Sequence, residues 1–194
     1  MIYIIRHGQT EENIAHLLLG RTDVPLNETG RQQAADAGER FAAAGIRFDA
    51  VYTSPLSRAV DTAKIIAGEE TALREDERLL EMDFGPFEGI SLDSPPPEIV
   101  TFFKDFVHNP APEGMESLFD LVARLGDFLE ELAEGPADKN ILISTHAIAM
   151  KAALEHLTPG SHGAYWSKYI ENCAVYVTER LPDGTLSVPQ EWRN

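Results

Sequence analysis

Ile2-Tyr3-Ile4-Ile5-Arg6-His7-Gly8-Gln9-Thr10 is the stretch that decides the fold. Its apolar opening ends abruptly in a cation, an imidazole and a glycine. A short unbroken apolar run is the pattern of a strand covered on both faces, as in a parallel sheet flanked by helices. Open α/β sheets bind ligands beyond the carboxyl ends of their strands, which is where Arg6 and His7 stand. With Gly8 and the polar opening of a short helix after them, they suit an anionic group.

The theme returns at Asn140-Ile141-Leu142-Ile143-Ser144-Thr145-His146, an apolar strand again ending in histidine, with a helix predicted to follow as far as His156. Between the two, Asn27 is read as the N-cap of a helix that turns Ala34, Gly38, Phe41 and Ala42 inward, with Gly45 past its end. Residues 48–53 form a strand running into Ser54-Pro55, an N-cap serine with proline at the first helical position. That helix turns Val60, Ala63, Ile66 and Ala67 inward. Residues 71–80 read as a charge-rich strand.

From Glu81 to Pro112 the pattern breaks up, since Gly85-Pro86-Phe87-Glu88-Gly89 is turn-like and Ser94-Pro95-Pro96-Pro97 cannot be helix interior. Ile99, Phe102, Phe103 and Phe106 then recur at helical spacing, and 116–132 carries the strongest apolar stripe. Strands at 173–178 and 186–189 close the chain across Pro182-Asp183-Gly184. The alternation predicts an α/β fold, a three-layer α/β/α sandwich with a mostly parallel central sheet.

The 194 residues amount to a single domain, here with an irregular insertion at about 90–112. Lys and Arg number 16 against 32 Asp and Glu, a formal net charge of −16. Nucleic acid and anionic membrane surfaces require a basic face, so neither is expected as a partner. A small anionic substrate is not excluded, because exposed charges are screened beyond ~10 Å and a local cluster of cations still governs a pocket. The single cysteine, Cys173, permits no internal disulfide and reads as a buried strand residue. Met1 leads straight into the first strand without a targeting segment, so a cytoplasmic protein is expected.

Three strand-to-helix junctions therefore offer Arg6 and His7, Arg58, and His146 to one edge of the sheet, and a fourth segment offers Glu81, Asp83 and Glu88. These motifs resemble the histidine phosphatase superfamily, in the branch that includes the cofactor-dependent phosphoglycerate mutases. The similarity runs over Arg6 to Asn13, Thr53 to Ala59 with Thr62-Ala63, Leu80 to Gly89, and Ile141 to His146. Four motifs in order carry the resemblance; Arg-His-Gly alone would not.

The resemblance implies that His7 attacks phosphorus and becomes phosphohistidine while Arg6, Arg58 and His146 hold the phosphoryl oxygens. It implies further that Asn13 adds a side-chain donor, that Gly20 and Thr22 lie on a loop flanking the phosphate, and that Glu81 protonates the leaving oxygen. Asp83 and Glu88 are read as supporting residues. Gln9 stands where many relatives carry an acid, and Ala147 where they carry glycine. His16, His108, His156 and His162 are read as surface residues.

The chemistry gives each role a reason. Phosphoryl transfer spreads charge over three oxygens, which guanidinium forks match. An imidazole is nucleophilic only while one nitrogen is free, so the other needs a fixed acceptor. A carboxylic acid that protonates an alkoxide contributes ~10²–10⁴-fold, and needs burial or nearby negative charge to hold its proton. Neither metal nor cofactor is called for.

The insertion at about 90–112 is short, which leaves water access and favours hydrolysis of a small phosphorylated metabolite, a monophosphate. Phosphoglycerate mutase-type transfer is the alternative, and a phosphate-binding module without turnover the minor one. Phe102, Phe103 and Phe106 are either core residues or contacts for the leaving group. A homodimer is common among relatives.

Overall fold

The computed structural model describes residues 1–136 and 138–193, so Ala137 and Asn194 of the predicted 1–194 domain lie outside the described residues. Along the chain run β1 (Ile2–Arg6), α1 (Glu11–Ile14), α2 (Glu28–Ala43), β2 (Ala50–Thr53), α3 (Ser57–Ala67), β3 (Leu73–Glu75), α4 (Pro97–Lys104), α5 (Leu118–Ala133), β4 (Ile141–Thr145), α6 (Ala147–His156), β5 (Val175–Thr178) and β6 (Gln190–Trp192). The strands form one six-stranded sheet in the order β3-β2-β4-β1-β5-β6. The first four are parallel, and β5 and β6 are antiparallel additions on the β1 side. Helices cover both faces, giving the expected three-layer α/β sandwich. Among the described residues no helix is long and apolar enough to cross a membrane.

Strand alternation assigns the two cores. Ile2 and Ile4 face a cluster with Leu121 and Phe128 of α5 and Met150 of α6, while Tyr3 and Ile5 face Ala34 and Phe41 of α2 and Ala63 of α3. Both β1 and β4 are buried along their whole length. Their register pairs Arg6 with Thr145, so the next residues, His7 and His146, emerge side by side. The His7 N–H extends the ladder by donating to the Thr145 carbonyl at 2.9 Å.

The chain after His7 then crosses the first turn of α2 at very close range. A Cβ on Gly8 would stand 2.3 Å from the Gly30 carbonyl oxygen, and one on Gly30 would stand 2.1 Å from that of Gln9. Only a pair of glycines permits this crossing.

Several predicted elements are displaced, each for a local reason. Helix α3 begins at Ser57, not at Ser54-Pro55. Ser54 instead serves the strand end, its N–H donating to the Ser144 carbonyl at 3.0 Å, and the N–H of Ser57 is capped by Asp23 at 2.7 Å. The buried face of α3 is Arg58, Ala59, Thr62 and Ala63, while Val60, Ile66 and Ala67 are only partly buried. In α2, capped by Asn27 as expected, the buried residues are Gly30, Ala34, Ala37 and Phe41, and Ala42 is exposed.

The strand predicted over 71–80 is only Leu73–Glu75. Asp76 accepts from the Arg78 N–H at 2.9 Å and turns the chain into a 3₁₀ turn, Glu77–Leu79. The last strand follows Pro189 rather than ending there, since proline has no N–H for the ladder. Cys173 lies before β5 with a left-handed φ of 56°.

Candidate active site

The carboxyl ends of β2, β4 and β1 lie adjacent in the sheet, and the predicted residues arrive from the loops just beyond them. His7 and His146 meet edge to face, with ring centroids 5.1 Å apart. His7 Nδ1 lies 2.6 Å from the Gly8 carbonyl oxygen. A carbonyl can only accept, so Nδ1 carries the hydrogen and the Nε2 lone pair is free. His146 has the opposite tautomer. Arg58 Nε donates to its Nδ1 at 3.2 Å, and its Nε2–H donates to Ser54 Oγ at 2.8 Å. Burial, and then the guanidiniums of Arg6 and Arg58, hold the His7 imidazole well below its ordinary range. Burial and Arg58 do the same to His146. Both rings are neutral at neutral pH.

Arg58 is fully buried on the inward face of α3. Its Nη1 donates to the Thr22 carbonyl at 2.8 Å and its Nη2 to the Gly20 carbonyl at 2.6 Å. Burial brings this guanidinium down to about 10, still charged at neutral pH. Gly20 thus presents its carbonyl to Arg58, and a Cβ there would stand 2.5 Å from Glu88 Oε1. Glu88 shapes the same loop, accepting from the N–H of Arg21 at 2.7 Å and of Thr22 at 2.8 Å. Arg6 Nη1 donates to the Ile170 carbonyl at 2.6 Å, and its buried Nε has no hydrogen-bond partner among the described residues.

Glu81 is buried, as a proton donor needs, but its neighbours are cations and N–H donors, not the negative charge that could have served instead. Its Oε1 accepts from the N–H of Met82 at 2.9 Å and of Ala149 at 2.8 Å, and its Oε2 accepts from Ile148 at 3.0 Å. Two of these donors belong to the first turn of α6, where the helix dipole favours a carboxylate. Ala147 opens that helix without a left-handed backbone, so the position does not require glycine's conformational freedom.

Asn13 closes α1 in a capping box with Thr10. Its Oδ1 accepts from Thr10 N–H and from Asn172 Nδ2, each at 3.2 Å, which leaves its amide hydrogens for the cleft it lines. Gln9 faces the other way, accepting from Asn27 Nδ2 at 3.2 Å. Asp83 pairs with Arg21 at 3.3 Å.

His16, His108 and His162 are exposed, and His156 is half-buried beside Glu130. Of the three phenylalanines, Phe102 and Phe106 are buried in the core, and only Phe103 lines the cleft. Among the described residues no three His, Cys, Asp or Glu side chains are grouped to hold a metal.

The cleft over these residues holds about 260 Å³. Arg6, His7, Asn13 and Glu81 form its polar floor; Arg58 and His146 stand behind them. A larger hollow of about 720 Å³ lies between α2 and β6 and contains none of the predicted site residues.

Two supporting residues, Asn172 and Arg124, escaped the sequence reading, and Thr62 is placed there in a motif without a role. Asn172 donates to the His7 carbonyl at 3.0 Å across 165 positions of chain, with no local signal. Thr62 Oγ1 accepts the Gly8 N–H at 3.0 Å, so that N–H is not free for an anion. Arg124 donates to the carbonyls of Arg78, Leu80 and Glu81 at 2.6, 2.8 and 3.1 Å while pairing with Glu116 at 2.6 Å. A cation beside the apolar stripe of α5, directly before Leu125, was the available clue.

Residues 2–191 match the model of the histidine phosphatase superfamily, branch 1. An uncharacterized phosphatase, PhoE, of Bacillus subtilis is 31% identical over 173 residues, 89% of this chain and 84% of that protein. A 2,3-bisphosphoglycerate-dependent phosphoglycerate mutase of a Methylobacterium species is 35% identical over 164 residues, 78% of this chain and 77% of the other. Among solved structures, YhfR of Bacillus stearothermophilus superposes with a TM-score of 0.83 at 29% identity, covering 96% of this chain and 94% of that one. A cluster built on two facing histidines and two guanidiniums, with sequence and fold similarity along nearly the whole length, has one reading: the chain belongs to the histidine phosphatase superfamily, branch 1, and is an enzyme acting on phosphomonoesters.

Proposed function

We propose that this enzyme is a phosphomonoester hydrolase that works through a phosphohistidine on His7. One observation carries the reading: the His7 Nδ1–H is fixed on the Gly8 carbonyl, leaving Nε2 as a nucleophile beside Arg6 and Arg58. Nε2 forms a bond to phosphorus as the bond to the leaving alcohol breaks, and Glu81 gives that oxygen a proton. In the second half, the Glu81 carboxylate takes a proton from water, the hydroxide adds to phosphorus, and the phosphorus–nitrogen bond breaks to release phosphate.

Arg6 and Arg58 stabilise the charge spread over the equatorial oxygens, and Asn13 contributes an amide hydrogen. Arg58 has five donors, and three are engaged within the protein. Both ring nitrogens of His146 serve Arg58 and Ser54, so it orients Arg58 and walls His7. A direct bond from it to the phosphoryl group requires the ring to release Ser54. Gly20 contributes by holding Arg58. Segment 90–112, with α4, caps the cleft.

The 35% identity to phosphoglycerate mutases favours a second reading, isomerisation of a phosphorylated acid. A mutase must also hold its substrate's carboxylate, and among the described residues Arg6 is the single Lys or Arg lining the cleft. Hydrolysis is the better fit. Wild type should release phosphate from p-nitrophenyl phosphate and carry radiolabel as acid-labile phosphohistidine, and His7→Ala should do neither. Equal rates for the two would leave only a binding module. Rapid conversion of 3-phosphoglycerate to 2-phosphoglycerate in the presence of 2,3-bisphosphoglycerate, with little free phosphate, would establish the mutase instead.

A further inference from the structure

The walls of the cleft differ from its floor. Above Arg6, His7, Asn13 and Glu81 stand Leu17, Leu19, Phe84, Leu92, Phe103 and Ile148. Leu92 is 41% exposed, yet its position is fixed by backbone bonding. The Leu92 N–H donates to the His16 carbonyl at 2.7 Å, the Leu18 N–H to Ile90 at 2.9 Å, and the Gly89 N–H to Leu18 at 2.8 Å. The two loops thus form a strap that holds an exposed leucine beside the cleft. On the opposite wall, the Phe103 ring is set by Phe84, Phe102 and Phe106, with centroids 6.2, 5.5 and 5.1 Å away.

No charge is available for a second anionic group. Among the described residues Arg6 is the only Lys or Arg on the cleft, and it belongs to the phosphoryl site. Arg58 is held by His146, Gly20 and Thr22, and Lys151 and Arg21 are likewise engaged. Lys151 Nζ donates to the Trp166 carbonyl at 2.9 Å, and Arg21 pairs with Asp83 at 3.3 Å and Glu116 at 3.5 Å. Lys104, at the end of α4, is exposed and does not line the cleft. A carboxylate placed against these walls would lose water and gain no partner. The net charge of −16 adds a repulsive background.

Resting on the phosphatase reading, we infer that the substrate is a monophosphate ester of an uncharged, largely apolar alcohol. The phosphoryl group sits on the polar floor and the hydrocarbon part lies between the Leu92 strap and Phe103. Substrates with a carboxylate next to the ester are rejected for want of a cation.

The test uses alkyl esters of similar intrinsic reactivity, with phosphate release as the readout: methyl phosphate, butyl phosphate, 3-phosphoglycerate and phosphoserine. On wild type, kcat/KM should rise at least about tenfold from methyl to butyl phosphate, as burial of a few methylenes gives. It should be at least about a hundredfold higher for butyl phosphate than for either carboxylate ester. Leu92→Lys, at an exposed position, should raise 3-phosphoglycerate relative to butyl phosphate, and Phe103→Ala should lower the butyl-to-methyl ratio. Hydrolysis of 3-phosphoglycerate or phosphoserine as fast as butyl phosphate overturns the inference and leaves the phosphatase reading standing. Turnover of p-nitrophenyl phosphate with none of butyl phosphate overturns it as well. Phosphate release from no ester at all removes the phosphatase reading itself.

Discussion

Replacing Arg124 by glutamine tests how the protein holds Glu81, the proposed proton donor. The side chain spans two structures, the carbonyls of the segment that ends in Glu81 and the carboxylate of Glu116. Arg124 and Glu116 are only 16% and 11% exposed, so the pair is poorly screened. Removing one member of a buried pair costs about 3–5 kcal/mol when the other charge is left bare. Glu116 keeps the Arg21 guanidinium at 3.5 Å and the Asp83 N–H at 3.1 Å, so the cost here lies at the lower end, about 3 kcal/mol. For a chain of 194 residues, with about 2–4 °C of Tm per kcal/mol, the melting temperature should fall by roughly 6–12 °C.

The kinetic consequence is more specific than the loss of stability. If the Glu81 segment moves by about 1 Å, the proton transfer loses on the order of 10²-fold. That loss should appear with butyl phosphate, whose alkoxide needs a proton, and be nearly absent with p-nitrophenyl phosphate, whose phenolate leaves unaided. Both esters are assayed well below the lowered melting temperature, and Arg124→Lys should recover part of the butyl rate. A parallel loss on the two esters would refute the positioning argument, since a merely unstable enzyme loses both alike. An unchanged Tm would refute the energetic one.

Other consequences follow from burial. His7 and His146 exclude protons that the unfolded chain accepts below about pH 6.5, so stability should fall as pH drops below that value and be flat above pH 7. The slope is at most about 2.7 kcal/mol per pH unit for the two rings together. Melting between pH 5 and 6.5 should lose most of this slope in the His7→Gln/His146→Gln variant; equal slopes would refute it. Gly8→Ala must push a Cβ past a carbonyl oxygen 2.3 Å away, so it should lower Tm by several degrees and depress kcat, whereas Gly45→Ala, with nothing within 4 Å, should cost only the strain of its positive φ. Burial pushes the Cys173 thiol up to about 12, so a disulfide reagent should label it only after denaturant is added. Labelling of the folded protein at neutral pH within minutes would contradict the packing around it.

The fold was legible where local pattern and global role agree. β1 and β4 are apolar without interruption because helices cover both of their faces, and Asn27 caps α2 because its side chain has an N–H to accept in that helix alone. Legibility failed where the site inverts the ordinary rule. A hydrophobic reading of α3 turns Val60 and Ile66 inward and leaves Arg58 to solvent, yet the structure buries Arg58 and leaves those two half-covered. The Arg58 motif had to be recognised as chemistry before its helix could be oriented. Asn172 and Arg124 were hidden for another reason. Each acts on backbone carbonyls, and a carbonyl leaves no trace in sequence.

The charge balance of the site explains why so acidic a protein can bind an anion. Arg6 and Arg58 are buried next to two histidines held neutral, and burial lowers both guanidiniums, the sign that the protein supplies less than water would. Among the described residues Glu81 is the one carboxylate along the cleft, and its three hydrogen bonds there come from N–H groups of Met82 and of the first turn of α6. Its charge is answered in part by a helix terminus, while it also acts on both guanidiniums. Glu88 is turned to the N–H groups of Arg21 and Thr22. Two guanidiniums stand over a pair of adjacent strand ends, and a doubly charged phosphoryl group matches them in number and in the span of its oxygens. The net charge of −16 acts at longer range through solvent and salt, so it bears more on which substrates approach than on which group is held.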